Sequence, residues 1–401
     1  MTDLRVLAVA DSDSYLKWAA WTLARLRDDA GGGAVRVGAV VVRSPLAPTP
    51  DQARAAVAGS GLPVPRVLSP RGVARLVRDG GADVVLVAAT GPVAELTARA
   101  IVAGTRRGAR RPALVTGLPG MALPATAHGT GWRRWADAFV VHAPGEAGPY
   151  EDAFAAHGAA PVLPVARLPF LDVAPVGPTS VQGSPGAPHR VVVAAQAKVP
   201  ATREDRVLLL DGLARLSDDG LEVVVKLRAR AGERQTHNEP YPLDVLWDAE
   251  HRRLGRSAHD VVFAVGPMAD HLTPGSALLT VSSTAALEAL ARGLPTVFLA
   301  DFGIGAEQLN EQYAGSGCVR RLDEVAATLR AGGPAPDPDW CADGYLHPRD
   351  ELGDVVRDLG GRAREGGLTP LDDVVPWSWP RHLWSRVRSA LPVTVSARLT
   401  R

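Results

Sequence analysis

The chain has 401 residues, 46% of them apolar, and a net charge of only +1. That length suits two α/β domains of ordinary size, each with a sizeable core, and the charge balance argues against a general nucleic-acid binder. Cys318 and Cys341 are the only cysteines; they form no disulfide or metal-ligand pattern and fit a reducing cytosol. The N-terminus enters a strand without signal-peptide flanks, and no run of about 18 apolar residues offers a spanning helix. The expectation is a cytoplasmic protein, with the inner face of the membrane as a second location.

In chain order, apolar runs of strand length alternate with helix-period segments, which implies parallel sheets. In the first half, strands are predicted at Arg5–Val9, Val35–Val42, Val84–Ala88, Ala113–Thr116 and Ala138–Val141, with helices at Tyr15–Asp28, Pro70–Asp79 and Val93–Thr105. In the second half, strands are predicted at Val191–Ala195, Leu221–Leu227, Val261–Ala264, Leu278–Val281 and Thr296–Leu299, with helices at Arg203–Leu216, Leu243–Arg253, Ala285–Arg292 and Asp323–Arg330. A Pro, Gly and Ser-rich stretch separates the halves and reads as a linker. The expected plan is an N-terminal Rossmann-like domain over 1–175, a linker over 176–189, a C-terminal Rossmann-like domain over 190–372 and a tail over 373–401. Two such sheets bind ligands beyond their strand C-termini and would face each other across a two-substrate cleft.

The first strand runs into Asp11-Ser12-Asp13-Ser14. Asp13 or Ser14 suits the N-cap of a helix beginning near Tyr15, which leaves a carboxylate for chemistry. The spelling Asp-x-Asp occurs here, but its place after the first strand favours a base or a cap over a metal ligand. Thr116 to Gly120 reads TGLPG, and its glycines Gly117 and Gly120, with His128 beyond, suit a loop that admits an acceptor. Trp132, Arg133 and Arg134 add stacking and charge there, or simply begin a helix.

Basic residues are almost all arginine, with lysine only at Lys17, Lys198 and Lys226. Together with abundant Ala, Gly and Pro this fits a GC-rich genome of the actinobacterial kind, and it makes each lysine worth examining, although any can be a solvated surface charge. Lys198 follows Gln196 at the end of the first strand of the second half, with Arg203 and Arg206 opening the next helix. Lys226 and Arg228 share one face of the following strand by alternation. The loop after it carries His237 and Glu239, candidates for sugar contact or proton transfer.

The most informative stretch is Ala277 to Ala300, ALLTVSSTAALEALARGLPTVFLA. It reads as a strand, a small polar turn of Ser282, Ser283 and Thr284, a helix of strong formers, a Gly293 stop, Pro295 and a second strand. The helix N-terminus leaves the carboxyl end of a parallel sheet and offers N–H groups and a positive dipole to a phosphate. Glu288, one turn in, is within reach of a ribose on that phosphate.

This stretch resembles the donor-nucleotide site of GT-B glycosyltransferases, in particular the bacterial polysialyltransferase-like and glycerophosphotransferase-like enzymes. The match lies in Ser282, Ser283, Thr284, Glu288, Gly293 and Pro295, and the two-domain layout extends it to most of the chain. The resemblance implies an α/β GT-B fold and a glycosyltransferase taking a nucleotide-sugar donor and a glycan, lipid-linked or cell-envelope acceptor. It implies no metal, and no cofactor is indicated. Lys198, Lys226 and Arg228 would neutralise the leaving group; the resembled enzymes carry a His-Pro pair where Arg228 stands, which leaves the donor open. In an inverting transfer Asp11 or Asp13 would be the base, with His128 and His237 next. Two rivals share the architecture: a non-hydrolysing nucleotide-sugar epimerase and a non-catalytic binding or assembly protein. The tail, with Trp377, Trp379, Trp384 and five arginines after its last acidic residue, suits packing back on the first domain, the preferred reading, or peripheral contact with an anionic membrane.

Overall fold

The computed structural model describes residues 3–29, 34–105, 110–171, 186–227, 239–371 and 378–390. They form two compact units, Met1–Phe170 with His347–Arg401 and Leu171–Leu346.

The first unit holds strands β1 (Leu4–Ala10), β2 (Val35–Val42), β3 (Val67–Leu68), β4 (Val84–Ala88), β5 (Ala113–Gly117) and β6 (Ala138–Val140). Among them lie helices α1 (Asp13–Asp28), α2 (Pro50–Val57), α3 (Pro70–Gly80), α4 (Gly91–Gly104), α5 (Ala127–Gly131) and α6 (Ala147–Ala155). The sheet order is β3-β2-β1-β4-β5-β6, and the strands pair in parallel. Strands covered on both faces must be apolar throughout, and β4 and β5 are buried at every residue. Alternation splits β1: Val6, Ala8 and Ala10 enter one core with Leu16, Trp18 and Leu23 of α1, while Val9 enters another with Val73 of α3 and Val93 and Ile101 of α4.

The second unit holds β7 (Arg190–Ala194), β8 (Glu222–Lys226), β9 (Val262–Ala264), β10 (Ser276–Thr280), β11 (Thr296–Leu299) and β12 (Val319–Arg320). Its α-helices are α7 (Arg203–Asp218), α8 (Leu243–Glu250), α9 (Ala285–Ala291), α10 (Leu322–Arg330) and α11 (Pro338–Asp343). The order is β12-β11-β10-β7-β8-β9, again parallel. Counted within each unit, both sheets follow the order 3-2-1-4-5-6, the doubly wound Rossmann topology, with a switch point between the first and fourth strands.

The chain then returns to the first unit through α12 (Leu352–Glu365) and α13 (Trp379–Ala390). The expected boundary of the second domain at residue 372 is therefore displaced. Leu352, Val356, Leu359 and Ala363 of α12 bury themselves in the core around β1, so everything from His347 belongs with the first sheet. The close approach needs Gly360, where a Cβ would stand 2.3 Å from Leu4 Cδ1. At the other end, α1 starts two residues before its expected beginning. Ser12, in extended conformation, is its N-cap, so neither Asp13 nor Ser14 caps it. The expected linker falls largely, and the tail partly, outside the described residues.

Candidate functional site

In the second unit the turn Ser282–Thr284 leaves β10 and the loop bearing Gln196 and Lys198 leaves β7, so both border the switch point where open α/β sheets bind ligands. Gln196 spans the gap: its Oε1 accepts the Ser282 N–H at 2.8 Å. Much of the polar capacity expected for a phosphate is used within the protein. The Ser282 hydroxyl donates to the Leu309 carbonyl. The Ser283 N–H donates to Thr280 Oγ1 at 3.1 Å, and Ser283 Oγ accepts from the Ala285 N–H at 3.2 Å. Tyr313, buried and stacked on Phe298, donates its hydroxyl to the Ser283 carbonyl at 3.1 Å. Thr284 is the N-cap of α9 and makes no side-chain cap bond. Ser282 and Ser283 thus shape the turn, whereas Thr284 and Glu288 stay partly exposed beside it.

Lys198 is exposed, and Lys226, the last residue of β8, is partly exposed. Arg228 and His237 lie outside the described residues. Arg206, in the first turns of α7, is not open to a ligand. It is buried, and all five of its N–H groups are taken. Nε donates to the Pro200 carbonyl, Nη1 to Glu239 Oε1 at 2.6 Å and to the Tyr241 carbonyl, and Nη2 to the Gln196 and Ala197 carbonyls. It therefore clamps the loop that presents Lys198, and Glu239 is its counter-ion. Arg203 pairs with Glu250 on α8.

The first unit repeats this arrangement at its own switch point. Asp11, after β1, accepts through Oδ2 from the Thr90 N–H at 3.0 Å and the Thr90 hydroxyl at 2.5 Å, Thr90 standing just before α4. Asp11 is fully buried, and its Oδ1 has no hydrogen-bond partner among the described residues. Burial pushes its pKa up, against the lowering effects of the Thr90 and Ser12 hydrogen bonds and the Arg133 charge. Arg133 is also buried, donating to Tyr15 Oη at 3.0 Å and to the Ala89 carbonyl at 2.8 Å. Asp13, in the first turn of α1, is partly exposed and forms no ion pair with a described residue. Of the two aspartates, Asp13 is the one open to solvent.

The acceptor-side expectations change most. Gly117 is buried at the end of β5, where a Cβ would stand 3.0 Å from the Trp18 ring, so the glycine serves packing. Gly120 is buried as well. The loop beyond is fastened by His142 Nε2, 3.0 Å from the Leu118 carbonyl, and by Glu146, whose Oε1 accepts the Ala122 N–H at 2.9 Å. Trp132 is buried against Gly91 and offers no stacking surface. His128 is exposed on α5, where Trp132 Nε1 donates to its Nε2 at 3.4 Å. Thr90, Tyr15 and His142 were not foreseen; their only sequence signal is a place at or near strand C-termini. Among the described residues no group of three or more His, Cys, Asp or Glu is arranged to hold a metal ion.

Comparison with solved structures shows the same fold at low identity. A Listeria monocytogenes protein described as a "putative UDP-N-acetylglucosamine 2-epimerase" has a TM-score of 0.58 at 11% identity, covering 94% of this chain and 100% of its own. Another UDP-N-acetylglucosamine 2-epimerase gives 0.56 at 14% identity, covering 90% and 95%. The Neisseria meningitidis UDP-GlcNAc 2-epimerase bound to UDP-GlcNAc gives 0.52 at 10%, covering 88% and 99%. A search of curated proteins found no match. The fold is GT-B. The family described as "Putative glycosyltransferase (DUF6716)" matches residues 6–359, and the chain belongs to that family.

Proposed function

We propose that this member of a glycosyltransferase family transfers a sugar from a nucleoside diphosphate donor to a hydroxyl of a glycan or lipid-linked acceptor. The observation that carries the reading is the switch point of the second sheet, bordered by Lys198 on one side and by Thr284 and Glu288 on the other. In this reading Glu288 accepts hydrogen bonds from the ribose, and Lys198 and Lys226 balance the diphosphate charge that grows as the bond to the anomeric carbon breaks. The acceptor oxygen forms the new bond to that carbon, and in an inverting transfer its proton passes to a carboxylate of the first unit. Asp13 fits that role better than Asp11, because a base must reach the hydroxyl and Asp11 is fully buried. The meningococcal protein of the same fold binds UDP-GlcNAc, so UDP-sugars are the first donors to test.

Calorimetric titration with UDP and UDP-sugars tests the donor site. Glu288→Ala should lose roughly 1–3 kcal/mol of binding in a folded protein. Asp13→Asn should keep donor binding and lose turnover. Unchanged affinity in Glu288→Ala removes that residue from the site. Donor isomerised without an acceptor would establish the epimerase reading instead. Nucleotide bound with no turnover across a broad acceptor panel would establish a binding protein.

A further inference from the structure

Helix α13 packs on α4. His382 is buried there, its Nδ1 3.7 Å from Oε2 of the buried Glu95. Another side carries Trp379, Leu383 and Val387 at i, i+4 and i+8, with Trp384 beside them, and these four are 56%, 49%, 44% and 47% exposed in that order. Two tryptophans and two aliphatic residues face water from one short helix as an apolar stripe, with Trp379 stacked on His382 of the same helix at a centroid distance of 6.4 Å.

A groove of about 770 Å³ opens between α3, α4 and α13. Arg71, Arg75 and Arg78 line it from α3, Arg99 from α4, Arg43 from the end of β2 and Arg386 from α13 itself. No described acidic residue lines it. Arg78 pairs with the neighbouring Asp79, whereas Arg43, Arg71, Arg75 and Arg386 form no ion pair with a described carboxylate. A chain of net charge +1 has therefore gathered six guanidinium groups along one groove, four of which, Arg43, Arg71, Arg75 and Arg386, have no carboxylate partner among the described residues. Such a concentration repels itself unless anions from outside balance it.

We propose that this face of the first unit docks on an anionic bilayer. The arginine groove receives the phosphates of lipid headgroups, and the α13 stripe enters the boundary between headgroups and acyl chains. Guanidinium groups pair with phosphate oxygens through parallel N–H bonds, and tryptophan suits the wet edge of the hydrocarbon. A single-stranded nucleic acid would satisfy the arginines and stack on the tryptophans but leave Leu383 and Val387 in water; a bilayer satisfies all of them. The inference does not rest on the transferase reading.

Co-sedimentation of the full chain with vesicles tests it, using phosphatidylcholine alone and phosphatidylcholine mixed with phosphatidylglycerol. The protein should pellet with the anionic vesicles and stay in solution with the neutral ones. Arg71 and Arg75 are exposed, so Arg71→Ala/Arg75→Ala keeps the fold, as a melting curve will verify, and each lost arginine should lower partitioning about fivefold. Trp379→Ser/Trp384→Ser should also release the protein, and added salt should weaken the wild type while leaving less to weaken in the arginine variant. Absence of binding to anionic vesicles overturns the proposal. So does binding that neither double variant reduces, or displacement of the vesicles by a single-stranded RNA oligonucleotide.

Discussion

Arg206 offers the sharpest test of how the second unit holds its donor loop. Arg206→Met keeps the apolar stem and removes five donated hydrogen bonds. It leaves the Glu239 carboxylate, 9% exposed, without its counter-ion. Four carbonyls, those of Pro200, Tyr241, Gln196 and Ala197, lose a donor as well. Breaking a buried pair from one side costs about 3–5 kcal/mol, because the remaining charge stays desolvated. For a unit of this size each kcal/mol moves Tm by about 2–4 °C, so the variant should melt roughly 6–20 °C lower. Glu239→Gln keeps an acceptor for Nη1 and should cost about 1–2 kcal/mol. The double variant Arg206→Met/Glu239→Leu should be less destabilised than the two single truncations added together, since neither charge is then stranded. Thermal melting with and without UDP reads all of these. If Arg206→Met melts with the wild type while UDP affinity collapses, Arg206 is a phosphate ligand and the clamp is refuted.

Gly360→Ala should lower stability by roughly 1–3 kcal/mol through overpacking against Leu4, whereas Gly361→Ala, with open space at its Cβ, should raise it by about 0.8–1 kcal/mol through helix propensity. Thermal melts that moved both variants the same way would contradict the packing of α12. Asp11, held above its ordinary 3.8 by burial, keeps a proton in the folded state that the unfolded chain has already released. Stability should therefore decline as pH rises from that value through the raised one, and Asp11→Asn should flatten the decline in a series of melts against pH. Cys318, fully buried and with its thiol pushed up to about 11, should resist a thiol reagent in the native protein and react at once after denaturation. Rapid native labelling at Cys318, read by peptide mass spectrometry, would mean that its pocket opens.

Much of the fold was legible because parallel strands buried on both faces leave continuous apolar runs. β1, β4, β7 and β10 are such runs, and the turn after β10 carries its own cap and stop signals. β3 and β12 are two residues long and have no period to detect. α12 was missed because Gly360-Gly361 dilutes a helical pattern, although close approach to Leu4 is what requires the first of those glycines. At the site, composition shows that Arg206, Ser282 and Ser283 are polar and follow strands. It cannot show that their donors are already taken by carbonyls and by the side chains of Glu239, Gln196 and Thr280, which is a property of tertiary geometry. The same applies to the arginine groove. The spacing of Arg71, Arg75 and Arg78 is visible along α3, but their company with Arg43, Arg99 and Arg386 arises only on folding.

The return of the chain to its first sheet makes the first unit a host and the second a guest. Ala166 and Asp350 form an antiparallel bridge, and the Glu351 N–H donates to the Val165 carbonyl at 2.8 Å, so the chain leaves and re-enters the host at neighbouring points. During synthesis the guest, an uninterrupted stretch from Leu171 to Leu346, is finished while the host still lacks the Leu352, Val356 and Leu359 that close its core. Domains fold as units while the ribosome delivers them, so the later-numbered unit is the earlier one able to complete itself. A fragment ending at Phe170 would expose the β1 face that α12 covers. Joining Phe170 to His347 directly is the cut that yields the host whole.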